Sequence, residues 1–112
     1  MGGLYAAYVL LTQPELFRRY IMVSPAFLWD NKVIFRYEEV FSRSHDTLHA
    51  SVYSAVGELD DRETVIAPWQ QFFAILENRN FQGLRLTKEI VAGETHISVY
   101  PAGFTRGLKR VF

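Results

Sequence analysis

Three short strand-like runs, each set between stretches with helical spacing, constrain the fold more than anything else in these 112 residues. Residues 20–23 (Tyr-Ile-Met-Val) are a brief apolar run ended by Ser24-Pro25, which suits a buried parallel strand. Residues 48–56 are rich in β-branched and aromatic side chains. In residues 84–91, Leu84, Leu86 and Ile90 alternate with polar neighbours, as on a strand near a sheet edge. Residues 4–11 are almost wholly apolar, which predicts a helix buried on all sides. Thr12-Gln13-Pro14-Glu15 has capping-box spacing with proline in its first turn, and predicts a second short turn there. Asp30 or Asn31 is placed to cap a helix whose apolar positions are Val33, Ile34, Tyr37, Val40 and Phe41. Val65, Ile66, Trp69, Phe72, Phe73 and Leu76 share one helical face, with Trp69 in the core. Pro68 inside that pattern puts the start of the regular helix near Ala67 rather than at Asp61. A last helix over residues 100–112 points Phe104, Leu108 and Val111 inward. It sets Arg106, Lys109 and Arg110 toward the negative end of its dipole. The strict alternation of helix and strand predicts an α/β fold with a parallel sheet and right-handed crossovers.

Composition narrows the function classes. Hydrophobic residues make up 49% of the chain and aromatics 15%, so the chain is built to bury a core rather than to stay disordered. Lys+Arg and Asp+Glu number 12 each, a balance that argues against nucleic acid or an anionic membrane as the main partner. There is no cysteine, which excludes disulfides and thiolate chemistry. No apolar run is long enough to span a membrane. No glycine-rich phosphate loop is visible, and no cofactor is expected. His45 and His49 have the spacing of a helical metal-binding pair. They straddle a polar loop with no third ligand near, so no metal is expected either.

Ligand sites in parallel sheets form beyond the carboxyl ends of the strands. Three segments lie there: residues 24–29, residues 57–61 and residues 93–96. The third carries His96, whose ordinary pKa near neutrality suits a group that takes and returns a proton. The second carries Glu58, Asp60 and Asp61. An imidazole and a carboxylate delivered by two strand-end loops are two thirds of a nucleophile–His–acid triad. Asp61 has an alternative role as a helix cap, and Glu58 as a solvated loop charge. Ser24 lacks the surround of a nucleophile and reads as strand-end chemistry ahead of Pro25. Thr95 and Ser98 are placed to cap the last helix. Phe27, Trp29 and Tyr100 are candidates to line a pocket, with core packing as the alternative for each.

The opening Met1-Gly2-Gly3-Leu4 resembles the last part of the Gly-x-Ser-x-Gly-Gly nucleophile elbow of α/β-hydrolases. With Ser24-Pro25, Gly57-x-x-Asp60, Gly93-x-Thr-His96 and the closing Phe104-x-x-Gly-Leu segment, the chain resembles the putative-esterase group. That group includes the enterochelin (siderophore) esterases and S-formylglutathione hydrolase. The resemblance implies a partial α/β-hydrolase fold, with residues 1–112 as the C-terminal half of one domain that starts just after the nucleophilic serine. It implies hydrolysis of a small carboxylic ester, with His96 as general base and Asp60, three residues after Gly57, as the orienting acid. The backbone N–H of Met1 would contribute to the oxyanion hole. Two other readings stay open: a non-catalytic remnant or binding module without a nucleophile, and a peptidase or acyltransferase on the same fold. Substrate, compartment and oligomeric state are not implied.

Overall fold

The structure, a computed structural model, describes residues 2–112, so the oxyanion role expected of Met1 falls outside the described residues. The elements run α1 (Gly2–Thr12), β1 (Arg19–Val23), α2 (Trp29–Ser44), β2 (Thr47–Gly57), a π-helical turn (Arg62–Ile66), α3 (Ala67–Arg79), β3 (Gln82–Val91) and α4 (Val99–Val111). The three strands form one parallel sheet in the order β1-β2-β3, with Val23 opposite Ala55 and Gly57 opposite Val91. This is the α/β architecture that the alternation predicts. The π-helical turn and the start of α3 at Ala67 match the break imposed by Pro68.

Side chains alternate across the sheet and build a core on each face. Tyr20, Met22, Leu48, Ala50, Val52 and Val56 face one side, where they meet the buried residues of α1, α2 and α3, including Trp69, Phe72 and Phe73. Val23, Tyr53 and Ala55 face the other, against Val99 and Val111 of α4. Ser54 sits at 0% exposure among the apolar residues and is fully bonded. Trp69 Nε1 donates to its Oγ at 2.8 Å, and that hydroxyl donates to the Met22 carbonyl at 2.8 Å. One hydroxyl thus joins α3, β2 and β1 just below the strand ends.

Three helices differ from their expected faces. In α4 the inward residues are Val99, Gly103, Gly107 and Val111, while Phe104 and Leu108 are exposed. The helix approaches the sheet through its glycines: a Cβ on Gly107 would lie 2.8 Å from Ile21 Cγ2 and 3.0 Å from Tyr53 Cδ2. A hydrophobicity pattern does not register glycine as an inward residue. The C-terminal end of α4 is held by Arg19, whose Nε donates to the Val111 carbonyl at 2.8 Å. This puts a cation at the negative end of the dipole from another element. In α2, Asp30, Asn31 and Lys32 take left-handed backbone angles (φ 49°, 57° and 61°), so neither Asp30 nor Asn31 caps a regular helix. The buried face is Ile34, Glu38 and Phe41, while Val40 is exposed. Glu38 is buried as a bidentate partner of Arg79 from α3, with both N–H···O distances at 3.0 Å. In α1, Leu4, Ala7, Val9, Leu10 and Leu11 are buried, but Tyr5 is open to solvent. The helix is open to solvent along the strip that Tyr5 occupies.

The close approach at Gly107 yields a stability test. Gly107→Val adds branched atoms against Ile21, which is itself branched on a strand and has little freedom to move aside. Urea unfolding should show a loss of about 1–3 kcal/mol. An unchanged midpoint would mean that α4 can lift from the sheet without cost.

Candidate active site

Asp60 and His96 meet at the carboxyl end of the sheet. His96 Nδ1 lies 2.6 Å from Asp60 Oδ1. The Asp60 side chain has no exposure and the imidazole is 53% exposed, so the acid is sealed beneath a ring that reaches the surface. The second carboxylate oxygen, Oδ2, accepts from the Gly57 backbone N–H at 2.8 Å and from Ser24 Oγ at 2.8 Å. Burying a carboxylate is unfavourable unless its lone pairs are met by donors, and here three donors converge on it.

Local sequence explains how the loops reach each other. A Cβ on Gly57 would collide with the backbone carbonyls of Glu94 and Thr95, so only glycine allows the two loops to pack at this distance. Leu59 N–H donates to the Glu94 carbonyl at 3.0 Å, and Gly93 N–H donates to Glu58 Oε1 at 2.8 Å. On the far side of His96, Thr95 and Ser98 exchange bonds: Thr95 N–H to Ser98 Oγ at 2.8 Å and Ser98 N–H to Thr95 Oγ1 at 3.1 Å. That reciprocal exchange, of the capping-box kind, opens the turn into α4 and brackets His96 between two fixed residues.

The three acidic residues separate cleanly. Asp60 faces His96. Glu58 bridges the two loops through Gly93 N–H, so it is not a free solvated charge. Asp61 caps the π-helical turn, its Oδ2 accepting from Thr64 N–H at 2.9 Å and Thr64 Oγ1 at 2.7 Å. Those bonds hold its carboxyl below the usual aspartate range. Ser24 lies on the opposite carboxylate oxygen from the imidazole, with its hydroxyl donated to Asp60. A serine in that position has its proton committed to the acid, not to the base.

The pocket candidates fall in three different places. Tyr100 packs edge-on to His96 at 5.6 Å between ring centroids. Its phenol is pushed up from the ordinary value, first by burial and then by the negative Asp60, so it stays a neutral donor at physiological pH. Phe27 is a correction. It is fully buried, 4.4 Å from the Phe72 ring and 5.7 Å from the Phe73 ring, in the core alternative rather than on a pocket wall. Trp29 is half-exposed and lines a separate apolar cleft of about 410 Å³ with Tyr5, Tyr8 and Tyr37 between α1 and α2. Neither histidine of the 45/49 pair is near this site: His45 stacks on Phe41, and His49 lies against Gly83. Among the described residues no cluster of three His, Cys, Asp or Glu could hold a metal.

Sequence reasoning missed the donors that hold the acid, Ser24 Oγ and Gly57 N–H. The positive φ of Ser24 (44°) and the close approach at Gly57 are tertiary features with no local pattern. Gly57→Ala should force the His96 loop away from Asp60. In 15N-labelled protein at a pH where the imidazole is neutral, the Nδ1–H form of His96 should give way to Nε2–H. A His96 spectrum identical to wild type would show that the loops tolerate a methyl group between them.

No protein-family model matches the chain. The ferri-bacillibactin esterase BesA of Bacillus subtilis (strain 168) is 29% identical over 113 residues, which span 97% of this chain and 39% of that protein. The crystal structure of the BES protein from Bacillus cereus superposes with a TM-score of 0.83 at 27% identity, over 97% of this chain and 41% of that one. The siderophore hydrolase EstB from Aspergillus nidulans gives 0.70 at 23% identity, over 95% and 43%, a likeness of fold. The chain therefore spans about two fifths of the length of these relatives. By sequence and by fold it is similar to siderophore-esterase hydrolases, and it carries part of the α/β-hydrolase fold that they share.

Proposed function

We propose that residues 1–112 form the C-terminal half of a serine esterase domain, supplying the base and the acid of its triad. The observation that carries this reading is the 2.6 Å contact between the half-exposed His96 and the sealed Asp60 at the strand ends. In this reading the nucleophilic serine directly precedes Met1. His96 Nε2 takes the serine proton as the hydroxyl attacks the ester carbonyl, and then gives it to the departing alcohol. Water repeats the cycle on the acyl-enzyme. Asp60, accepting from Nδ1, holds the ring in the tautomer that leaves Nε2 free, and it stabilises the imidazolium formed in each half-reaction. The backbone N–H of Met1 and a second donor from the other half would hold the oxyanion. The similarity to the ferri-bacillibactin esterase points to a siderophore-type or other small carboxylic ester as substrate.

The chain by itself should not hydrolyse p-nitrophenyl esters above a denatured control, because among the described residues no serine hydroxyl is bonded to His96, and that of Ser24 is donated to Asp60. A polypeptide extended by the residues encoded upstream should hydrolyse them and should carry Gly-x-Ser immediately before Met1. In that protein His96→Ala should lower kcat by about three orders of magnitude or more. Undiminished activity in His96→Ala would remove the assignment. An upstream frame without Gly-x-Ser would favour the non-catalytic remnant.

A further inference from the structure

We propose that Ser24 is a positioning residue for the proposed triad: its hydroxyl fixes the plane of the Asp60 carboxylate so that Oδ1 alone is presented to His96. The inference rests on the esterase reading and deepens it. Three observations carry it. The Ser24 hydroxyl and the Gly57 N–H both end on Oδ2, each at 2.8 Å, while Oδ1 accepts from His96. A carboxylate held on one oxygen from two directions cannot rotate about χ2, and its free oxygen then has a defined position. Next, Ser24 is 3% exposed, so its hydroxyl has no water to compete for the bond. Third, Ser24 sits at φ 44°, in the left-handed region where glycine would be at ease. Its backbone N–H is still bonded to the Ala55 carbonyl at 2.7 Å, which locks the last residue after β1 against β2. A side chain is kept where the backbone favours none, and what that side chain does is bond the acid.

This role differs from packing in a way that can be measured. Ser24→Ala removes the hydroxyl and keeps the strained backbone. Ser24→Gly removes the hydroxyl and relieves the strain. If Ser24 served the backbone alone, the two variants would diverge. If it serves the acid, they behave alike at His96. The experiment is 15N–1H correlation of the His96 imidazole in the labelled chain at pH 8, with far-UV circular dichroism and melting to confirm that each variant is folded. In the wild type the Nδ1–H tautomer should dominate. Both Ser24 variants should shift the tautomer ratio by about threefold or more toward Nε2–H, with Ser24→Gly melting no lower than Ser24→Ala. Asp60→Asn serves as the reference. Ser24 and Gly57 hold its amide oxygen, so its NH2 faces His96 Nδ1 and forces the Nε2–H form. A ratio unchanged in both Ser24 variants, or changed only in Ser24→Ala, overturns the positioning role while leaving the triad reading intact. A ratio unchanged in Asp60→Asn overturns the His96–Asp60 pairing, and with it the reading on which this inference rests.

Discussion

The upper edge of this fold is organised by one buried carboxylate. Asp60 is sealed from water, and an unmet negative charge there would be too unfavourable to persist. Each oxygen must find donors, and those donors come from three successive strand ends: Ser24 after β1, Gly57 at the end of β2 and His96 after β3. Satisfying the acid therefore requires the three loops to converge. The glycine at 57 is the condition for it, because any Cβ there would strike the backbone ahead of His96. Register supplies the rest. Val23 pairs with Ala55 and Gly57 with Val91, so the parallel strands end nearly level and deliver their loops to the same place.

The layered architecture was legible because hydrophobic periodicity and proline placement are local signals. The start of α3 at Ala67 follows from Pro68, whose missing N–H is harmless in a first turn. Faces that rest on something other than hydrophobic side chains were not legible. α4 turns Gly103 and Gly107 to the sheet and leaves Phe104 outside, since close backbone approach here fills space better than a ring would. α2 buries Glu38, which reads as a solvent position until Arg79, 41 residues on, reaches it with both nitrogens. The left-handed run at Asp30, Asn31 and Lys32 carries no glycine to announce it.

From the residues alone the site was legible to the level of residue type and loop; the family resemblance added Asp60 as the expected acid. Spacing placed an imidazole and three acids beyond the strand ends, but could not choose among Glu58, Asp60 and Asp61. The choice is geometric: Asp61 is drawn to Thr64 and Glu58 to Gly93, which leaves Asp60 facing His96. For Phe27 the sequence leaves pocket wall and core open, because an aromatic beside a strand end serves equally as either, and the neighbouring Phe72 and Phe73 decide for core. The exposed side of α1 and the unpaired edge of β1 belong together. Among the described residues both stand open on the same flank of the sheet, and the chain spans about two fifths of the length of its relatives. Open strand edges and uncovered apolar helices are unfavourable in isolation, which is consistent with a proposed partner half.

Energetics bears on the choice between the proposed esterase half and an inert remnant, two of the three readings that the sequence leaves open. A half-exposed imidazole bonded to a buried acid adds little to stability. The exposed partner is screened by solvent, and an apolar residue in place of the acid would avoid its desolvation altogether. Ser24 adds a further unfavourable element, a left-handed backbone worth about 1–2 kcal/mol against a non-glycine residue. A fold needing only to hold three strands together has no use for either. A triad needs both, because its base must sit in one tautomer and one orientation at the instant of proton transfer, and that precision comes from a supporting layer which is itself immobile. The sealed acid, its two donors on the far oxygen and the strained serine therefore form one device. Its physical logic supports the proposed esterase half over an inert remnant of the same fold.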